Sequence, residues 1–277
     1  MRFKKRIFQY RSSLHHANAP LISLLLFFSP HQMAGPTIAS TSSRRRPVLL
    51  LVGDSLTQDA SRRDGWGALL QEAYVRSVDV LNRGLCGYNT RWFVQRALPV
   101  LCEELRSSFS PALITLWLGA NDAALDDGPE AYQHLPIPEY RQNLIDIVQE
   151  LQKHAPHAKI LLLTPPPVDD DARRRLQLEA GGARDPIDRC DAQAKLYAAA
   201  CADVASELGG VALLDMHTFF SQTYPDVAQR RRFFGDGLHF TAEGNRVVFE
   251  QVQQHIEKLL PAELLASWQL PDFRTLI

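Results

Sequence analysis

Five short, almost uninterrupted apolar runs, at 48–52, 78–81, 113–118, 160–163 and 211–214, alternate along this chain with stretches of helical periodicity. Runs without a polar alternation suit strands that are covered on both faces. Between them Leu144, Ile145, Ile147, Val148 and Leu151 recur at helical spacing after Pro138, and an Ala-rich stretch from about 188 to 208 stops at Gly209-Gly210, a helix C-terminal signal. Thr241 reads as the N-cap of a last helix whose apolar face is Val247, Val248, Val252, Ile256 and Leu259. Strands joined by helical crossovers predict an α/β fold: a three-layer α/β/α domain around a five-stranded parallel sheet. In such open sheets ligands bind beyond the carboxyl ends of the strands.

Four motifs fall at or after those ends: Gly53-Asp54-Ser55-Leu56-Thr57, Asn82-Arg83-Gly84, Gly119-Ala120-Asn121-Asp122 and Asp236-Gly237-Leu238-His239. Together they hold the parts for acyl transfer by a serine. Ser55 would attack a carbonyl carbon, His239 would take its proton, and Asp236 would hold the imidazole in the right tautomer. The Ser55 and Gly84 backbone N–H groups and the Asn121 amide would bind the oxyanion. A carboxylate three residues before the histidine can reach Nδ1 within one turn, so no separate loop is needed to carry the acid. The serine is not in a GxSxG elbow, because position 57 is Thr, which disfavours an α/β-hydrolase.

At 277 residues the chain can bury one substantial core, and Lys+Arg total 30 against 31 Asp+Glu. That balance gives no electrostatic footprint for nucleic acid and suits a small-molecule ester substrate. Cys86, Cys102, Cys190 and Cys201 show no metal-ligand spacing; Cys190 and Cys201 stand too far apart on a helix to bridge, and buried free thiols are expected. Residues 1–46 read as a basic extension, either a targeting segment or a disordered one, ahead of a catalytic domain at 47–277. They carry Arg2, Lys4, Lys5, Arg6, Arg11, Arg44, Arg45 and Arg46 and no acid, the first being Asp54. The mainly apolar stretch at 21–28 is too short for a stable membrane span but fits a signal-peptide core, with Thr37-Ile38-Ala39 as a cleavage site. Secretion, organelle import and an uncleaved extension on a cytoplasmic protein all remain open.

Several residues compete with these roles. Asp54 and Asp122 read as structural carboxylates at turns. His217, two residues after Asp215, is a rival base without a matching motif. Asp169-Asp170-Asp171, followed by Arg173, Arg174 and Arg175, reads as a solvated loop, Trp66 as packing, and Trp92 and Trp117 as core.

The four blocks resemble the SGNH (GDSL) hydrolases, named for Ser, Gly, Asn and His, here Ser55, Gly84, Asn121 and His239. Within that superfamily the stretches Gly87-Tyr88-Asn89-Thr90-Arg91-Trp92, Thr164-Pro165-Pro166-Pro167-Val168-Asp169 and Trp268 with Asp272-Phe273-Arg274 are similar to the isoamyl acetate-hydrolysing esterases and their plant GDSL relatives. The resemblance runs from about Pro47 to Ile277. It implies a flavodoxin-like sheet, no cofactor, and hydrolysis of small carboxylic esters, acetates in particular. An acyltransferase using the same triad and a non-catalytic acyl-binding module are the alternatives, and the oligomeric state is open.

Overall fold

The computed structural model describes residues 46–182 and 185–276. The expected basic extension, with the cleavage site it could hold, lies outside the described residues apart from Arg46. The described part has a five-stranded parallel sheet in the order β2-β1-β3-β4-β5, built from β1 (Val48–Gly53), β2 (Asp79–Gly84), β3 (Pro111–Trp117), β4 (Lys159–Leu163) and β5 (Val211–Leu214). This is the flavodoxin-like order, in which chain direction across the sheet reverses next to β1.

Helices supply the crossovers. α1 (Ser55–Gln58) and α2 (Trp66–Ala73) lead from β1 to β2; α3 (Thr90–Trp92) and α4 (Leu98–Ser107) lead to β3; α5 (Ile137–His154) leads to β4. α6 (Asp170–Glu179) and α7 (Asp191–Glu207) precede β5, and α8 (Met216–Thr223), α9 (Val227–Arg230), α10 (Ala242–Leu259) and α11 (Ala262–Trp268) follow it. The helix expected from about 188 begins at Asp191, with Cys190 as its cap, and α10 is followed by one more short helix.

Side chains alternate across a strand, and this sheet is covered accordingly. Leu49, Leu51, Leu113, Leu161 and Leu163 pack with Trp66, Leu70, Val248, Val252 and Ile256 of α2 and α10. Val48, Leu50, Val52, Ile114, Leu116 and Leu162 pack on the other face with Leu101, Leu144, Ile147, Val148 and Val204 of α4, α5 and α7. Each such aliphatic side chain contributes about 1.5–3 kcal/mol by leaving water, which is why β1 carries no polar residue whereas the edge strand β2 carries Asp79, Asn82 and Arg83. Trp117 closes one end of this core, 6.0 Å from the Trp66 ring and 5.7 Å from Phe240, with its indole N–H on Thr164 O at 2.9 Å. Truncating it to Ala would cost about 3–5 kcal/mol and loosen the strand end that carries the third motif.

The register sets the level of the site. Gly53 of β1 is opposite Gly84 of β2 and Trp117 of β3, so the segments after β1 and β3 and the end of β2 meet at one edge. Among the described residues no helix is long and apolar enough to cross a membrane.

Candidate active site

At the end of β1 the chain turns sharply into α1. Asp54 caps that helix, its Oδ1 accepting from Leu56 N at 3.0 Å, and Ser55 follows as the first helical residue. A first helical residue has no intrahelical acceptor for its N–H. None is present for Ser55 among the described residues. Its Oγ, almost fully buried, lies 2.8 Å from His239 Nε2.

The second motif clamps this helix from β2. Asn82 Nδ2 donates to Thr57 O at 2.6 Å and to Ser61 Oγ at 2.7 Å, while its Oδ1 accepts from Gly84 N at 2.8 Å. A Cβ on Gly84 would run into the backbone of Thr57 and Gln58, so glycine here is dictated by the close approach of two main chains. The Gly84 N–H, assigned from sequence as an oxyanion donor, is therefore already engaged by Asn82. β2 also runs through Gly84, three residues past the end expected, because the motif itself pairs with β1.

After β3, Gly119 adopts φ +124, a conformation that L side chains rarely reach, and delivers Asn121 to the same edge. Asn121 Nδ2 donates to Tyr88 O at 2.9 Å, and its Oδ1 accepts from Arg189 Nη2 at 2.9 Å. One Nδ2 hydrogen remains over.

The fourth motif folds on itself. Asp236 Oδ1 accepts from Leu238 N and His239 N at 2.9 and 2.7 Å, a local turn that swings its Oδ2 to within 2.8 Å of His239 Nδ1. Burial alone would raise the Asp236 carboxyl. The hydrogen bond and charge of His239, with the two backbone N–H groups, outweigh it and hold the group well below the ordinary carboxylate range. A hydroxyl, an imidazole and an ionised carboxylate thus stand in line, drawn from segments 181 or more residues apart in the sequence, Ser55 to Asp236.

Two further groups were not anticipated. Arg173 of α6 reaches Asp236 Oδ2 at 3.1 Å and Asp188 Oδ1 at 3.0 Å, and pairs with Asp188 Oδ2 as well. Arg189, 5% exposed, donates from Nε to Ala120 O at 2.8 Å and from Nη1 to Asp188 Oδ2 at 2.7 Å. The run at 169–175 is accordingly no solvated loop. Asp169 is buried as the cap of α6, accepting from Asp171 N and Ala172 N and pairing with Arg231 at 2.6 Å. Within the run Asp171 and Arg175 stay exposed; what the spacing cannot show is the counter-charge of the buried Asp169, Arg231, which lies 62 residues along the chain.

The competitors are otherwise engaged. His217 is buried with Nε2 3.2 Å from Asp191 Oδ1. Asp54 and Asp122 are both fully buried; burial pushes the Asp54 carboxyl up to about 6 and that of Asp122 to about 7. Asp122 accepts from Thr90 N and Oγ1, at 3.0 and 2.5 Å, so its partner is distant and not the local turn. Trp66 packs as expected, but Trp92 is only half-buried and stacks on the exposed Tyr132 at 6.3 Å. Of the free cysteines Cys102 and Cys201 are buried, whereas Cys86 is exposed. Cys102, Glu150 and His154 bring a thiol, a carboxylate and an imidazole within 4.8 Å of one another between α4 and α5, the one group among the described residues with such a donor set.

With this geometry in hand, the match of residues 51–247 to the GDSL-like Lipase/Acylhydrolase family is decisive. This chain belongs to that family. A GDSL esterase/lipase of Arabidopsis thaliana is 39% identical over 225 residues, 80% of this chain and 90% of the plant protein. An isoamyl acetate-hydrolyzing esterase 1 homolog of Bos taurus is 38% identical over 236 residues, 84% of this chain and 91% of the bovine one. The crystal structure of an acetyl xylan esterase, AlAXEase, shares the fold with a TM-score of 0.60 at 19% identity, covering 76% of this chain and 99% of that one. As a GDSL family member the protein is a carboxylic ester hydrolase.

Proposed function

We propose that this GDSL esterase hydrolyses small esters, with acetate and other short acyl groups preferred, through an acyl-enzyme on Ser55. The observation that carries the reading is the line from Ser55 Oγ through His239 to Asp236, each step 2.8 Å, beside a serine N–H without an acceptor. His239 Nε2 takes the Ser55 proton as Oγ bonds to the ester carbonyl carbon, and Asp236 stabilises the imidazolium. The carbonyl oxygen, now an anion, receives hydrogen bonds from Ser55 N–H and Asn121 Nδ2. Gly84 N–H joins them as its weaker, neutral acceptor Asn82 Oδ1 gives way to a charged one. The imidazolium returns its proton to the leaving alkoxide, the C–O bond breaks, and water repeats the sequence on the acyl-enzyme.

The short-acyl preference rests on what borders the site. α6 contributes Arg173 and carries Asp170, Asp171, Arg174, Arg175 and Glu179, with no residue of the helix fully buried. Apart from the exposed Leu176 and Leu178, such a surface gives an alkyl tail little apolar area, while the bovine relative is named for an acetate ester. The test is kcat/KM over p-nitrophenyl esters of rising acyl length. Each methylene in an apolar groove adds about 0.8 kcal/mol of binding, so a long-chain enzyme climbs along the series. The expected profile peaks at acetate to butyrate and falls by eight carbons; one that keeps rising overturns the substrate assignment.

A further inference from the structure

An asparagine amide can serve an oxyanion in only one of its two orientations, since exchanging O and N by rotation about χ2 would present a lone pair to the anion. Two contacts hold Asn121 in the useful one. Tyr88 O accepts from Nδ2, and Arg189, whose guanidinium can only donate, occupies Oδ1. A flipped amide would set NH2 against the guanidinium, donor against donor and beside a full positive charge. The same charge draws electron density towards Oδ1 and makes the remaining Nδ2 hydrogen a stronger donor.

Arg189 is itself immobilised. Its other N–H groups reach Ala120 O, Asp188 Oδ2 and the Gln133 side-chain oxygen, so four of its five donors are used inside the protein. Asp188 passes the constraint on, because both of its oxygens also meet Arg173, and Arg173 ends on Asp236. Charges alternate along this chain, from Arg189 to Asp188 to Arg173 to Asp236, with the first three side chains at least 89% buried by the exposures of 6%, 7% and 11%.

We propose that Arg189 is a positioning residue for Asn121, and that Asp188 and Arg173 complete a chain of alternating charge that fixes the oxyanion donor and the triad acid relative to each other. The proposal rests on the roles given above to Asn121 and Asp236. Its elements come from one stretch, α6 and the two residues before Cys190, so a single segment of the crossover from β4 to β5 supports both halves of the site.

A double-mutant cycle separates this role from a merely structural one. Arg189→Met and Arg189→Lys are each made in the wild-type enzyme and in Asn121→Ala, with near-ultraviolet circular dichroism to confirm folding, and kcat and KM are measured on p-nitrophenyl acetate. Arg189→Met is expected to lower kcat by roughly 10- to 100-fold with KM nearly unchanged, and to cost less than about threefold once Asn121 is Ala. Lys keeps the charge but lacks the rigid fork, so Arg189→Lys falls between and carries the same cycle if the Met variant does not fold. Equal fold-losses in both backgrounds, or no loss in the wild-type one, overturn the positioning role. An Asn121→Ala enzyme with wild-type kcat overturns instead the oxyanion assignment beneath it.

Discussion

Arg173 Nη1 lies 3.1 Å from Asp236 Oδ2, the same oxygen that His239 Nδ1 approaches at 2.8 Å. A single carboxylate oxygen thus serves two cations once His239 is protonated. The guanidinium offsets part of the charge that stabilises the imidazolium, while its second arm is held away by Asp188. Asp54, the buried residue just before the serine, is a second carboxylate whose charge couples to His239. The acid partner of this site is therefore tempered by its surroundings, and that has a measurable consequence.

Asp236, held well below the ordinary carboxylate range, should add no acid limb of its own to the pH profile of kcat/KM above about pH 4. Replacing Arg173 with Met removes a positive charge next to Asp236, so the carboxylate holds the imidazolium more firmly. The acid side of the kcat/KM profile should therefore lie at higher pH in the variant than in the wild type. A limb that stays in place would show that Arg173 acts on folding alone.

Removing either the proposed nucleophile or the proposed base should abolish activity. Ser55→Ala and His239→Ala are each expected to lose roughly 10³-fold or more in kcat, because such residues act as a unit. Asn121→Ala, which deletes one oxyanion donor, should cost about 2.7–4 kcal/mol of transition-state stabilisation. If Ser55→Ala retained a tenth of the wild-type kcat, the serine would not be the nucleophile.

His217 provides the contrast. Its Nε2 is committed to Asp191 Oδ1, which also accepts from Val168 N at 3.1 Å, so it braces the start of α7 against the segment after β4. His217→Ala should leave kcat within a few fold and lower thermal stability only modestly, by about 1 kcal/mol for the lost hydrogen bond, since the Asp191 side chain is 36% exposed and can take water in place of the imidazole. Equal kinetic losses in folded His217→Ala and His239→Ala enzymes would reopen the choice of base.

The parts of the site that could be read from sequence are those carried by local patterns. Strand runs such as 48–52 are legible because both faces are covered, so every position is apolar, and the four motifs follow because strand ends in a parallel sheet converge. Asp236 to His239 is a contact within one turn, visible as spacing. Arg173 and Arg189 are different: their partners are 63 and 68 residues away, Asp236 and Asn121, and a run of mixed charge looks solvated until its counter-charges are placed. Trp92 stands at the edge of the core for a related reason, since its neighbour Tyr132 comes from a distant segment and leaves one side open. The engagement of Gly84 N–H by Asn82 is also invisible, because nothing in the sequence says which way a side chain two residues back will turn.

The last prediction concerns the carboxylate under the nucleophile. Asp54 has one oxygen on Leu56 N and the other without a partner among the described residues, and burial pushes its pKa up to about 6 from an ordinary value of 3.8. Between about pH 4 and 6 the folded protein therefore keeps a proton that the unfolded chain has lost, and stability falls as pH rises through that window, levelling off above it. The shift of about 2.2 units corresponds to about 3 kcal/mol lost by neutral pH. Asp122, with a pKa of about 7, acts in the same direction up to a higher pH. Asp236 and Asp188, held below the ordinary range, contribute in the opposite sense, through stability that is present above about pH 4 and lost only in stronger acid. Asp54→Asn keeps an acceptor for Leu56 N but cannot ionise. Urea melts across about pH 4 to 8 should thus show the variant gaining on the wild type by about 3 kcal/mol as pH rises from 4 to 7, whatever the offset between them in acid. A difference between the two proteins that is constant across the range would mean that Asp54 does not carry this proton.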